Sequence, residues 1–189
     1  MTLRILALLT LFGLTACAST APSGVLVSDR AKHVGGSLFL EPAGDDGFVL
    51  ILDGRITPET SYAFQRMVQI ADINSLVIAQ SVGGDLFAAH QIGDVVSKNR
   101  IDTVVLALCY SACVDVFIAG DDRVISSVGT LGLHSASDAE LGYEMDRAYW
   151  GRRGLGNVNE MAYQVAHREL WLIDADRARA LRLATDILR

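Results

Sequence analysis

The chain has 189 residues, 51% apolar and 20% charged, with 16 Lys+Arg against 22 Asp+Glu for a formal net charge of −6. Three prolines and this moderate charge exclude a disordered tail or a linker array, and the length suits a single domain with one substantial core. The acidic balance gives no general attraction to polyphosphate, so no nucleic-acid partner is expected.

The first element is a leader. Arg4 followed by the apolar run from Ile5 to Leu14 has the pattern of a bacterial export signal, and the run is too short to cross a bilayer as a stable helix. It ends in Leu14-Thr15-Ala16-Cys17, small residues ahead of a thiol, which is similar to a lipobox. Residues 1–16 are therefore read as a lipoprotein signal peptide and Cys17 as the lipid-bearing N-terminus; the plainer alternative is a secretory signal with a cysteine nearby. Membrane attachment through that lipid would place the protein in the bacterial cell envelope, facing the periplasm. Residues 17–24, small and polar, form a flexible tether, and residues 25–189 form one α/β domain.

Within that domain two hydrophobic periods alternate. Val25–Val27 and Ser37–Leu40 read as short strands, and Phe48–Leu52 as a buried strand that Gly54 ends. Thr57-Pro58 supplies a cap and a proline at the first helical position, after which Phe64, Met67, Val68 and Ala71 mark one face of a helix. Leu76–Ala79 is a strand, Gly83-Gly84 a tight turn, and Asp85 to Asn99 a helix with Leu86, Ala89, Gly93 and Val96 on one face. Thr103–Ala107 is the next strand, Ser111–Ala119 a short buried helix, and Arg123–Ile125 a further strand. Residues 137–170 read as helical with a break around Gly154-Leu155-Gly156. Trp171–Ile173 is a strand, Asp174 or Asp176 caps a last helix, and Ala184–Leu188 closes the chain as a strand. This alternation implies parallel βαβ units with right-handed crossovers.

In an open parallel sheet, reacting groups gather at the carboxyl ends of strands, which directs attention to the turns after Ala79 and Ala107. The first turn carries Gly83-Gly84, a pair that bends the backbone sharply and can turn an N–H outward. The second, Cys109-Tyr110-Ser111-Ala112-Cys113, puts a serine at a helix start, as either an N-cap or a nucleophile. In an oxidising compartment its two cysteines, four apart, are either a disulfide or a pair of buried free thiols. Of the four histidines, His33 lies in a polar segment, His90 on a helix and His167 among charges; His134 follows the glycine-punctuated run Val128–Leu133. Together, Ser111, His134 and Gly83-Gly84 supply a nucleophile, a base and an oxyanion site.

The ordered set Leu52-Asp53-Gly54-Arg55-Ile56, Ser81-Val82-Gly83-Gly84, Ser111-Ala112, Gly120-Asp121-Asp122-Arg123 and Gly132-Leu133-His134 resembles the ClpP/crotonase superfamily, most of all its exported ClpP-like serine peptidase relatives. The resemblance spans Val49 to Leu188. It implies an α/β spiral of ββα units with a mostly parallel sheet, Ser111 as nucleophile, His134 as general base, and the Gly84 and Ala112 amides as oxyanion hole. It also implies self-association into a homo-oligomer, a peptide or protein substrate, and neither metal nor organic cofactor. Two positions depart from the pattern. Val82 stands where proline is usual, and Leu170 falls where the triad acid is expected, which leaves Asp174 or Glu169 as substitutes, with Asp138 and Glu140 closer to His134 in sequence. A Ser-Lys dyad is disfavoured because the chain has only Lys32 and Lys98, neither well placed. Coenzyme A thioester chemistry is disfavoured because an exported protein would not meet that pool. The expected function is a cell-envelope serine hydrolase cleaving peptide bonds. A binding or scaffold lipoprotein on the same fold, and a thiol enzyme using Cys109 and Cys113, are the alternatives.

Overall fold

The computed structural model describes residues 28–44 and 47–189. The export signal over residues 1–16, Cys17, the tether to residue 24 and the strand expected at Val25–Val27 lie outside the described residues.

A short hairpin, β1 (Lys32–Gly35) and β2 (Leu38–Pro42), leads antiparallel into β3 (Phe48–Asp53), whose register pairs Leu38 with Leu52 and Pro42 with Phe48. From here the topology becomes parallel. Helix α1 (Pro58–Ile70) starts in a capping box: the Thr57 hydroxyl accepts the Thr60 N–H, and the Thr60 hydroxyl accepts the Thr57 N–H, both at 3.2 Å. Pro58 at the first turn removes an N–H that would have no helical partner. The helix returns the chain to β4 (Ile73–Ser81), parallel to β3. Asp85 then caps α2 (Leu86–Asn99) by accepting the Ala88 N–H at 2.7 Å, and β5 (Asp102–Tyr110) lies parallel to β4. Leu50, Leu52, Leu76, Ile78 and Val105 from these strands pack with Phe64 of α1 and Ile92 and Val96 of α2, all nearly inaccessible to solvent.

The strand that organises the functional end is β5, because two strands share its outer edge in succession. After α3 (Ala112–Phe117), β6 (Arg123–Ser126) pairs with the first half of β5, Thr103–Val105. Then β7 (Thr130–Leu133) pairs with the last part, Leu108↔Thr130 through Tyr110↔Gly132. This fork brings the ends of β5 and β7, and the residues just beyond them, side by side.

The remaining chain covers that end and closes the sheet. Helix α4 (Ala139–Gly151), capped by Asp138, is followed by α5 (Gly156–Ala162), β8 (Trp171–Asp174), α6 (Ala175–Ala180) and β9 (Asp186–Leu188). The break around Gly154 is present, with Gly154 at φ +71°, but helix does not extend to residue 170. It ends at Ala162, because the chain must reverse through successive turns to bring β8 antiparallel to β7. Among the described residues five of the eight strand pairings are parallel, so the mostly parallel α/β architecture is present. No described helix is long and apolar enough to cross a membrane.

Candidate active site

Ser111 directly follows β5 in a conformation that few non-glycine residues adopt, with φ +55° and ψ −135°. Two backbone bonds hold it there: the Ser111 N–H donates to the Gly132 carbonyl at 2.7 Å, and the Ser111 carbonyl accepts the Val114 N–H at 2.8 Å. It stands at the N-cap position of α3, yet its hydroxyl caps nothing and makes no hydrogen bond among the described residues. A strained turn that leaves a hydroxyl without a structural partner is a feature of functional sites.

The turn after β4 lies against this serine. A Cβ on Gly83 would meet the Tyr110 carbonyl, the Ala112 nitrogen and the Ser111 Cβ, so the two turns touch. Gly84 makes a parallel bridge with Ile56, in which the Gly83 carbonyl accepts the Ile56 N–H and the Ile56 carbonyl accepts the Asp85 N–H, both at 2.9 Å. Because the Gly83–Gly84 peptide is trans, a Gly83 carbonyl turned toward Ile56 sends the Gly84 N–H the opposite way, toward the Ser111 side. Glycine is required here: φ at Gly84 is +153°, and a Cβ would fall on the Ile56 carbonyl oxygen.

His134 lies two residues past Gly132, the β7 partner of Tyr110, so register alone delivers it to the Ser111 end of the sheet. Its Nδ1 is 2.7 Å from the Ser135 carbonyl oxygen. A carbonyl can only accept, so Nδ1 is the donor, and in the neutral ring the lone pair is on Nε2. The Nδ1 of His167 reaches the same carbonyl at 3.1 Å, and the two rings meet edge to face with centroids 5.0 Å apart. His167, set aside in sequence because charges surround it, is thus part of the site.

Neither substitute acid reaches His134. The β7/β8 register sets Asp174 opposite Thr130, at the far end of the strand from Leu133, and its carboxylate caps α6 by accepting the Arg177 N–H at 2.8 Å. Glu169 is exposed in the turn before β8 and does not line the cavity described next. Asp138 is occupied in capping α4, accepting the Leu141 N–H, and Glu140 is exposed. The imidazole is oriented by a main-chain oxygen instead.

Gly84, Ser111, Ala112, His134 and His167 line one cavity of about 290 Å³. Behind them lies a second polar group that sequence reading missed. His90 Nε2 is 2.9 Å from Asp146 Oδ1 and 3.8 Å from Asp115 Oδ1, so Asp146 is its hydrogen-bond partner and Asp115 acts through charge. The Trp150 Nε1–H donates to Asp115 at 2.6 Å, and the Tyr163 hydroxyl donates to Asp146 at 2.6 Å. Tyr149 stacks on His90 with ring centroids 3.9 Å apart. Burial pulls the His90 imidazolium down, but Asp115 and Asp146 together outweigh it and raise its pKa to about 9. Burial, reinforced by the charge of Asp146, pushes the Asp115 carboxyl up to about 6 against the pull of His90. Burial also holds the Tyr149 and Tyr163 hydroxyls protonated well above the usual phenol range. His90, Asp115 and Asp146 could also hold a divalent metal, since one donor atom from each lies within 4.8 Å of the others. The signal in sequence was Asp115, a lone charge inside the apolar run Ala112–Ala119.

Cys109 and Cys113 are joined in a disulfide, with Cα atoms 5.3 Å apart, that bridges the turn carrying Ser111. Both are inaccessible to solvent, which leaves no free thiolate there for a cysteine nucleophile. Iodoacetamide is expected to leave both unmodified in the native protein and to label both after unfolding with a reductant. Mass spectrometry of the tryptic peptides reads the difference, and native labelling at either cysteine would contradict the bridge.

No protein-family model matches the chain, and no curated protein matches it. Among solved structures it is similar to ClpP1 from Listeria monocytogenes, with a TM-score of 0.60 and 17% identity over 75% of this chain and 91% of that one. At such identity the likeness speaks for the fold alone. The mixed α/β architecture with its mostly parallel central sheet is a ClpP-like fold.

Proposed function

We propose that this protein is a serine hydrolase that cleaves peptide bonds, with Ser111 as nucleophile, His134 as general base, and the Gly84 and Ala112 N–H groups as oxyanion donors. The observation that carries the reading is the single cavity lined by all four residues, into which an uncommitted serine and a histidine of fixed tautomer both open. In the proposed reaction His134 Nε2 takes the Ser111 hydroxyl proton as the oxygen attacks a substrate carbonyl. The negative charge that develops on the carbonyl oxygen meets the two N–H groups, and the new imidazolium returns its proton to the departing amine. Water then repeats the sequence on the acyl-enzyme.

The Ser135 carbonyl supports the fixed tautomer in the way a triad acid would, but as a neutral acceptor it stabilises the imidazolium less than a carboxylate does. Among the described residues no carboxylate pairs with His134, which also favours a second reading, a binding or scaffold protein with little turnover. A fluorophosphonate probe separates the two. Labelling of the wild type that Ser111→Ala abolishes and Ser126→Ala retains is expected for the hydrolase; a folded protein that never labels is the scaffold. Envelope location, the lipid at Cys17 and self-association remain part of this proposal, the first two supported by the pattern of residues 1–17.

A further inference from the structure

We propose that the Cys109–Cys113 disulfide is a positioning device for the site: it holds Ser111 and the Ala112 N–H in the geometry that attack on a carbonyl requires. This inference rests on the hydrolase reading. Ser111 sits at φ +55° and ψ −135°, outside the wells where a serine rests unaided, so something around it must hold it there. At a helix start the usual restraint is a side-chain cap, as Thr57, Asp85, Asp138 and Asp174 provide for α1, α2, α4 and α6. Ser111 provides none for α3, and a nucleophile cannot, because its hydroxyl has to stay free. The covalent link stands where the cap is missing.

The anchor points of the link are themselves fixed. Cys109 lies in β5 between two parallel neighbours, opposite Ser81 of β4 and Leu131 of β7, and Cys113 is in the first turn of α3; neither is accessible to solvent. Only Tyr110, Ser111 and Ala112 lie between them, with the two Cα atoms 5.3 Å apart. A relaxation of the Ser111 backbone would swing the start of α3 away from the strand end, and the bridge opposes that motion because it limits how far its two Cα atoms can separate. The Ala112 N–H falls inside the same span, so one link sets the nucleophile against an oxyanion donor. In the chain-entropy account a disulfide restrains the unfolded chain less the shorter the loop it closes, and this one joins residues only four apart. Its effect is therefore concentrated on the three residues it spans.

The test compares the full chain with its Cys109→Ala/Cys113→Ala variant by the rate of fluorophosphonate labelling at Ser111, by kcat and KM on a peptide ester, and by urea midpoint. Under conditions where both proteins are fully folded, labelling and kcat are expected to fall about tenfold with KM kept within about twofold, since misplacing a reacting group by about 1 Å can cost up to about 10²-fold. A bridge with a purely structural role would lower the urea midpoint and leave both rates within about twofold of the wild type, which overturns the inference. A loss in KM without one in kcat overturns it too, because the substrate walls and not the serine would then have moved. Reduction puts the same question to the unmutated chain. A water-soluble phosphine, applied in urea just below the midpoint and then diluted, takes the disulfide to two thiols and is itself converted to the phosphine oxide with an oxygen from water. Labelling should slow to the rate of the alanine variant as Cys109 and Cys113 become reactive to iodoacetamide. Should neither bridge-free form fold, the link is a requirement of the fold and the inference is overturned. Labelling of wild type and bridge-free protein at one rate removes only the positioning role, whereas a wild type that no fluorophosphonate labels removes the hydrolase reading itself.

Discussion

Replacing His134 with alanine is expected to lower kcat by about 10²–10⁴-fold while the protein stays folded, the range over which a positioned general base operates. The ring is half-buried at a cavity wall and its removal leaves no buried charge, so the fold should lose little. The informative part is the contrast with the two carboxylates that the sequence suggested. Asp174→Asn and Glu169→Gln should each keep kcat within about twofold, because neither side chain approaches the imidazole and Asp174 acts as a helix cap. Asp174→Asn should be nearly neutral for stability too, since asparagine caps about as well as aspartate. Steady-state hydrolysis of a peptide ester, or the rate of fluorophosphonate labelling, gives the comparison. A loss in Asp174→Asn as deep as that in His134→Ala would mean that β8 slides along β7 to deliver the acid. The carbonyl-oriented imidazole would then not be the working arrangement.

Much of this site was legible because it depends on backbone register. The strand run Thr103–Ala107, the glycine pair and the apolar segment ending at His134 each have a strong local signature. Once β4, β5 and β7 are parallel neighbours, their carboxyl ends must meet. What register does not fix is where a side chain from a later, irregular segment arrives. His167 follows α5 in a run of turns whose path is set by packing and by contacts such as the Ser135 N–H to Val165 carbonyl bond at 2.9 Å, with no periodicity to betray it. Among the described residues no carboxylate meets His134: Leu170 stands where the acid was expected, and the register sets Asp174 opposite Thr130, since a strand pairing shifted by a few residues moves a side chain by a whole strand length. The His90 group was hidden for a third reason. Its three ionised groups come from three helices, His90 from α2, Asp115 from α3 and Asp146 from α4, and a single polar residue on an amphipathic helix is ordinary. Only Asp115, charged in an apolar helix only 4% exposed at that residue, demanded a partner.

That group should dominate how stability depends on pH. Its two carboxylates tolerate each other because the His90 imidazolium stands between them, so His90→Ala is expected to cost about 3–5 kcal/mol near pH 8, the usual penalty for uncovering a buried charge. The pH profile follows from the direction of each shift. His90 is raised from 6.5 to about 9 in the folded chain, so its contribution is complete below about pH 6.5 and is lost as pH climbs through 9. Asp115 is also raised, from 3.8 to about 6, so the folded form binds its proton more tightly and loses that advantage as pH rises through 6. Because the two titrate as a pair, the wild type should lose between about 1 and 3 kcal/mol from pH 6.5 to 9. In His90→Ala the contribution of the imidazolium is gone, so the fall through pH 9 should disappear, while the part due to Asp115 should move to higher pH because the cation that pulled its carboxyl down is missing. Urea midpoints followed by tryptophan emission read both curves, Trp150 being hydrogen-bonded to Asp115 at the centre of the change. Parallel curves for the two proteins across pH 6.5–9 would mean that His90 is neutral in the folded chain.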